Sequence, residues 1–334
     1  MDNFSKAYSR ARDTIQTKKY AKDWQAFIDT EARLKLVLGV DSPDVNHGDS
    51  LDKLRLKLDK AAKKGILGVL SGNGLDEIII QASKESDADT KIGDKAASLK
   101  MLKHLYLQRK VGRQDVWVYS PPKSYRKWIF DEIKGDDKSS KSNLSKEKEV
   151  YSPGERVIMC DALQEAAAWC QKVQIRLNDP AGEAIVRRWF LDAAATPQNL
   201  TQALDTLRDG FKTLDVACRS GQIIFSDEPG DRNNGGWKDW AFVYKNETMK
   251  VVYLQGAFVK AGNSGNKTMC ALTIIHELTH KLLKTSDHRY DYAGLKPTAA
   301  FPFAKALDNA DSWGYFAADA AGMLSDSDRT RVLA

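Results

Sequence analysis

The chain has 334 residues and a mass of 37.3 kDa; 42% of it is hydrophobic, 29% is charged, and its formal net charge is +6. That length suits two domains and the apolar share suits a real core, which excludes collagen-like, low-complexity and wholly disordered chains. No apolar run approaches the ~18 residues that a membrane-spanning helix needs, and the first residues show no basic-then-apolar leader.

The charge is unevenly spread. Residues 1–150 hold 30 Lys/Arg against 23 Asp/Glu, whereas residues 151–334 hold 21 against 22. The whole basic excess therefore lies in the first half, a sign of two parts with different tasks. Because both signs are mixed there, the surface reads as a solvated helical one. It does not read as a phosphate-binding stripe, so neither nucleic acid nor a membrane is an expected partner.

In chain order, residues 4–38 place Tyr8, Ile15, Trp24, Phe27, Ile28, Leu34 and Leu38 at helical spacing. A second helix runs from Leu51 to Leu70, with Leu51, Leu54, Leu58 and Ala61 on one face, and a third is expected over 92–111. Val116–Tyr119 reads as a short strand stopped by Pro121 and Pro122. The polar, Ser-rich stretch from Gly135 to Gly154 reads as a linker or a long exposed loop, which sets the domains at 1–135, a linker at 136–154, and 155–334. Helices are expected over 160–178, 182–195 and 198–218. Strands are expected at 222–225, 240–244 and 250–254, then a loop at 261–266 and a helix near 267–284. The order gives a helix-rich α+β fold with a small antiparallel sheet, preceded by a mainly helical domain. None of Cys160, Cys170, Cys218 and Cys270 forms a C-x-x-C pair, so free and mostly buried thiols are expected.

Three of the five histidines fall in one 13-residue stretch, and His276-Glu277-Leu278-Thr279-His280 is an H-E-x-x-H motif. On a helix, residues i and i+4 project from one face, so His276 and His280 can reach one Zn²⁺ while Glu277 stands ready as a general base. Ala271, Ile274, Ile275, Leu278 and Leu282 form an apolar stripe, which makes the helix a buried one. A catalytic zinc needs a third protein ligand and an open position. Asp287, His288 and Asp291 are near enough, and spacing alone does not choose among them.

The segment Thr285-Ser286-Asp287-His288-Arg289-Tyr290 resembles the T-x-D-x-x-Y element of the aspzincin metallopeptidases, the deuterolysin and peptidyl-Lys metalloendopeptidase group. Val252–Phe258 is similar to the strand these enzymes carry before the active-site helix, and Asn309-Ala310-Asp311-Ser312-Trp313-Gly314-Tyr315-Phe316 resembles their N-A-D element. The resemblance covers roughly residues 155–325. It implies Asp287 as third zinc ligand, Tyr290 as the hydroxyl facing the oxyanion, and Asp311 near the pocket for the residue after the scissile bond. In the lysine-specific members a carboxylate there attracts lysine. Lys284 and Asp291 stand where the family often has glycine, and Gln255 takes the place of a cysteine that secreted fungal members carry.

The expected function is thus a zinc endopeptidase with one catalytic Zn²⁺, cutting protein or peptide substrates, with Lys after the cut as the implied preference. The strand with Tyr253 and Gly256 is expected to bind extended substrate at its edge. A zinc hydrolase of cell-wall peptides and a binding module with a vestigial site are the alternatives. The first half is expected to serve inhibition, docking or delivery, with an inhibitor or delivery partner. The favoured setting is a bacterial effector toxin secreted without a leader, with a cytoplasmic protein as the other.

Overall fold

A computed structural model describes residues 3–37, 46–67, 74–85, 92–109, 115–134, 137–233 and 235–334. Leu38, Leu70 and Gly135, named in the expectations above, lie outside the described residues. The fold is helix-rich α+β, as expected, but its sheet is mixed and takes strands from both halves of the chain. Strands β1 (Leu105–Gln108), β2 (Val116–Tyr119), β3 (Ile223–Ser226), β4 (Ala241–Phe242) and β5 (Lys250–Leu254) lie in the order β1-β2-β3-β5-β4. β2, β3 and β5 run parallel, with Val118 opposite Phe225 and Phe225 opposite Val252. β1 and β4 close the two edges in antiparallel pairs.

Strand side chains alternate between the two faces, and each face here belongs to one half of the molecule. Val116, Val118, Ile223, Phe225, Val252 and Leu254 point into the core of the second half. Trp117, Tyr119, Ile224, Val251 and Tyr253 point into the core of the first. Helices α1 (Phe4–Thr17) and α2 (Ile92–Lys103) cover the second of these faces. The long helices α3 (Pro153–Arg176) and α4 (Pro197–Arg219) build the other core. Both start where their sequence dictates. Ser152 and Glu155 form a capping box ahead of Pro153, and Thr196 and Asn199 do the same ahead of Pro197.

The expected linker at 136–154 is a correction. It contains the helix Asp137–Leu144 and then anchors to the buried helix α2. Lys100, wholly buried, donates to the carbonyls of Leu144 and Lys146 at 2.8 and 3.0 Å and pairs with Glu147. Glu149 accepts from Tyr106, lies 3.1 Å from His104 Nδ1 and pairs with Arg156 of α3. Two of the acids in that stretch, Glu147 and Glu149, are therefore counter-ions of the buried Lys100 and Arg156. A further correction falls at 105–108, expected as helix, which forms the edge strand β1 after a turn at His104. The first half of the loop expected at 261–266 is the end of a helix, Gly256–Asn263.

Candidate functional site

Helix α5 (Lys267–Leu278) begins at Asn266, whose side chain accepts from the Met269 N–H. It is driven inward by Cys270, Ala271, Ile274, Ile275 and Leu278, all buried. The helix does not run straight on. Thr279–Leu283 widens into a π-turn, and the chain then reverses through Lys284 at φ 66°. A non-glycine residue in that left-handed region costs about 1 kcal/mol. Lys284 is held there by Nζ bonds to the carbonyls of Lys245 and Lys281, 2.8 and 3.1 Å.

This path puts His276 on the helix and His280 in the π-turn, with their rings 4.7 Å apart and nearly perpendicular. Their Nε2 atoms face each other at 3.1 Å. Asp287 Oδ1 lies 3.1 Å from Nε2 of His280 and 3.3 Å from Nε2 of His276. The three form the one cluster among the described residues whose donor atoms suit a metal ion. The loop that brings Asp287 there is pinned to the N-A-D segment. Ser286 N–H donates to Asp308 O, Ala310 N–H donates to Ser286 O, and Asn309 Oδ1 accepts from the N–H groups of both His288 and Arg289.

The far nitrogens explain why the near ones converge. Nδ1 of His276 is 2.7 Å from Asp311 Oδ1, and Nδ1 of His280 is 2.8 Å from the Thr285 carbonyl. Each is a donor facing an acceptor, so each Nε2 presents a lone pair inward beside a carboxylate. Three electron-rich atoms so placed repel one another unless a cation or a proton sits between them. Tetrahedral ligation at 2.0–2.1 Å sets ligand atoms ~3.3 Å apart, so the donor set fits Zn²⁺.

The local charges agree. Burial works against a charged His276, but the hydrogen bonds it donates to Asp287 and Asp311 outweigh it and push its pKa up to about 10, so without a metal a proton takes the place of the cation. Burial likewise works against a charged Asp287, yet both imidazoles hold it below the usual carboxylate range. Glu277 is buried, which raises its pKa, and its Oε2 has no hydrogen-bond partner among the described residues. A buried carboxylate oxygen without a partner is an exception that calls for an explanation in the chemistry of the site. Burial, and then the charges of Asp287 and Asp311, push Tyr290 up to about 12, so its phenol stays a donor.

These groups open into a cleft of about 710 Å³. Edge strand β4 with its neighbours Trp240 and Val243, the helix residues Met269 and Leu272, and Tyr290, Tyr292 and Tyr315 all line it. Every lining residue comes from the second half.

Among the residues picked out from the sequence, His276, Glu277, His280, Asp287, Tyr290 and Asp311 meet in this cleft. Two others do not. Tyr253 sits on interior strand β5, fully buried on the face toward the first half, where its hydroxyl accepts from the Phe4 N–H and donates to Glu247. Gly256 starts a helix instead of ending a substrate strand, and a Cβ there would lie 2.1 Å from the Trp237 carbonyl. The edge strand whose residues line the cleft is β4. The alternatives left by spacing also separate. His288 turns to Asp308 at 2.7 Å, and Asp291 accepts from Tyr315 and Arg331. Two supporting residues escaped a ligand-centred reading of the sequence. Thr285 holds His280, and Lys281 ties the π-turn to the Tyr244 and Glu247 carbonyls. Thr285 lies inside the T-x-D-x-x-Y element, which is the signal that marks it.

Over residues 177–318 the chain matches the aspzincin family model, described as lysine-specific metallo-endopeptidase. No curated protein matches the chain. No helix among the described residues is long and apolar enough to cross a membrane.

Proposed function

We propose that this chain is a zinc-dependent endopeptidase whose metal is held by His276, His280 and Asp287. The observation that carries the reading is the inward convergence of two Nε2 atoms and one carboxylate, each imidazole fixed from behind, next to the bare Oε2 of Glu277. The matched family is one of metallo-endopeptidases, which supports the same class of reaction.

A bound zinc ion supplies an acidified water and polarises the scissile carbonyl. The chain's own groups do the rest. Glu277 Oε2 takes a proton from the attacking water, and burial, by raising its pKa, makes the same group competent to hand that proton to the departing amine. Tyr290 offers its phenol hydrogen to the oxygen that gains negative charge, a contact that strengthens as the charge develops. The extended peptide is laid against the free edge of β4, where backbone bonds align it irrespective of side chain.

Incubating the zinc-loaded full chain with a protein digest, with and without chelator, tests the reading by mass spectrometry. New chelator-sensitive peptide termini are the expected result. A digest left unchanged at stoichiometric zinc, with folding intact, removes it.

A further inference from the structure

Building on the endopeptidase reading, we infer that the cleft selects an apolar or aromatic side chain next to the scissile bond, and does not select lysine through Asp311. Two independent observations lead there: where the cleft's carboxylates are already engaged, and which side chains are left facing the solvent.

A lysine-selecting pocket needs an ionised carboxylate that is free to receive an ammonium group. Glu277 and Asp287 belong to the reaction centre. Asp311 already has an acceptor task on each oxygen, with His276 Nδ1 at 2.7 Å on Oδ1 and the Asp291 N–H at 3.0 Å on Oδ2. It is also 92% buried, its relative exposure being 8%. Drawing it toward a substrate ammonium would loosen a metal ligand. Asp291, where the family often has glycine, accepts from the Tyr315 hydroxyl at 2.9 Å and is ion-paired to Arg331 at 3.0 Å. That leaves Asp239 on the exposed rim beside Lys238, where a solvent-screened pair contributes at most ~1 kcal/mol.

The open groups are of a different kind. Trp240 is 38% exposed, Tyr290 41% and Tyr292 81%, and all three line this cleft. Tyr292 stacks on Tyr290 with ring centroids 5.8 Å apart and planes 20° from parallel, so the two present one aromatic surface. Trp240, next to β4 in the chain, lines the same cleft, and Met269 and Leu272 add apolar lining. Exposed aromatics gathered in one cleft mark a recognition surface, since each offers large contact area for little entropy loss. An apolar or aromatic substrate side chain gains from that surface, whereas a lysine would lose water there without meeting a free carboxylate.

The test separates this inference from the reading beneath it. The Glu277→Gln variant, loaded with zinc, is titrated with two peptides that differ only in Phe or Lys beside the target bond, using tryptophan fluorescence. Tighter binding of the Phe peptide by roughly tenfold is expected, and Trp240→Ala or Tyr292→Ala introduced into that variant should reduce the preference severalfold. The intact enzyme is then given a proteome-derived peptide library. Enrichment of aromatic or large apolar residues beside the cuts supports the inference. Cuts before lysine, or no side-chain preference, overturn it while leaving the endopeptidase reading standing. No zinc-dependent cut in any peptide removes that reading, and the inference with it.

Discussion

Asp311 Oδ1 lies 2.7 Å from Nδ1 of His276, so a residue that lines the cleft also fixes the orientation of the proposed metal ligand. Its second oxygen accepts from the Asp291 N–H and ties the Tyr290 loop to the same point. Such partners behind a ligand affect metal affinity by 10–100-fold. Asp311→Ala should therefore weaken zinc binding by about that factor, read by competition with a chromophoric chelator. Asp311→Asn, which keeps an acceptor oxygen, should recover part of the loss. Equal zinc affinity in wild type and Asp311→Ala would show that His276 needs no such support.

Glu277 and Asp287 stand in the same cleft with separable tasks. Glu277→Gln removes the proton acceptor but none of the three ligand atoms, so zinc content by elemental analysis should stay near one per chain while hydrolysis is lost. General base groups account for typically 10²–10⁴-fold of rate, and loss of that order or more is expected. Asp287→Ala should lose the metal as well as the activity. The opposite pattern, with metal lost from the Glu277 variant and kept in the Asp287 variant, would reassign the ligand set.

The meeting of His276 and His280 is legible in the sequence because its geometry is local. A four-residue spacing on a helix with an apolar stripe brings His276 and His280 together whatever the rest of the chain does. The position of Asp287 beside them is of another kind, since spacing leaves Asp287, His288 and Asp291 open and only the resemblance points to Asp287. Errors arose where partners are distant in sequence. The charged stretch 136–154 gives no sign that Glu147 and Glu149 answer to Lys100 and His104, some 45 residues earlier. Helix α2 is buried on every side, so it carries no amphipathic stripe, and the run into Leu105–Gln108 shows no breaker. Tyr253 failed for a reason of parity. Alternation says that Tyr253 and its neighbours Val252 and Leu254 face opposite ways, but not which face meets the cleft.

The shared sheet has a consequence for dividing the chain. Cutting away residues 1–154 removes β1 and β2 and uncovers Ile224, Val251 and Tyr253, each now buried. At roughly 1.5–3 kcal/mol for each buried side chain of this size, the loss approaches the whole stability of a typical domain. The fragment 155–334 should aggregate or lack cooperative unfolding by circular dichroism, where the full chain shows a sharp transition. A soluble, cooperatively folded and active fragment would instead make the first half a separable attachment.

Arg331, on helix α6 (Asp326–Val332), offers a gentler probe of the cleft from behind. It pairs with Asp291 at 3.0 Å, and the Leu295 N–H donates to the Val332 carbonyl at 2.7 Å, so the terminal helix braces the loop that carries Tyr290. Arg331→Ala should lower kcat severalfold with little change in zinc affinity, and Arg331→Lys should restore part of it. Because the Arg331 side chain is 53% exposed, the cost in global stability should stay within about 1 kcal/mol. A large fall in melting temperature would mean that the arginine supports the fold and not the loop.

The seam between the halves should respond to acid through His104. Burial lowers its pKa to about 4, although the Glu149 carboxylate works in the other direction. In the folded chain His104 stays neutral down to that point, whereas in the unfolded chain it takes a proton near 6.5. Between those values the unfolded state binds more protons, so this contribution to stability is full above pH 6.5 and is lost as the pH falls toward 4. Asp227 and Glu228, which burial raises to about 6 and about 7, act oppositely, because their favoured neutral forms strengthen the fold as the pH drops. The His104 share is therefore isolated as a difference. His104→Gln keeps a donor for Glu149 but does not titrate. The stability gap between wild type and this variant, from urea unfolding, should shrink by on the order of 3 kcal/mol between pH 7 and pH 4. A gap independent of pH would mean that His104 takes up its proton without disturbing the seam.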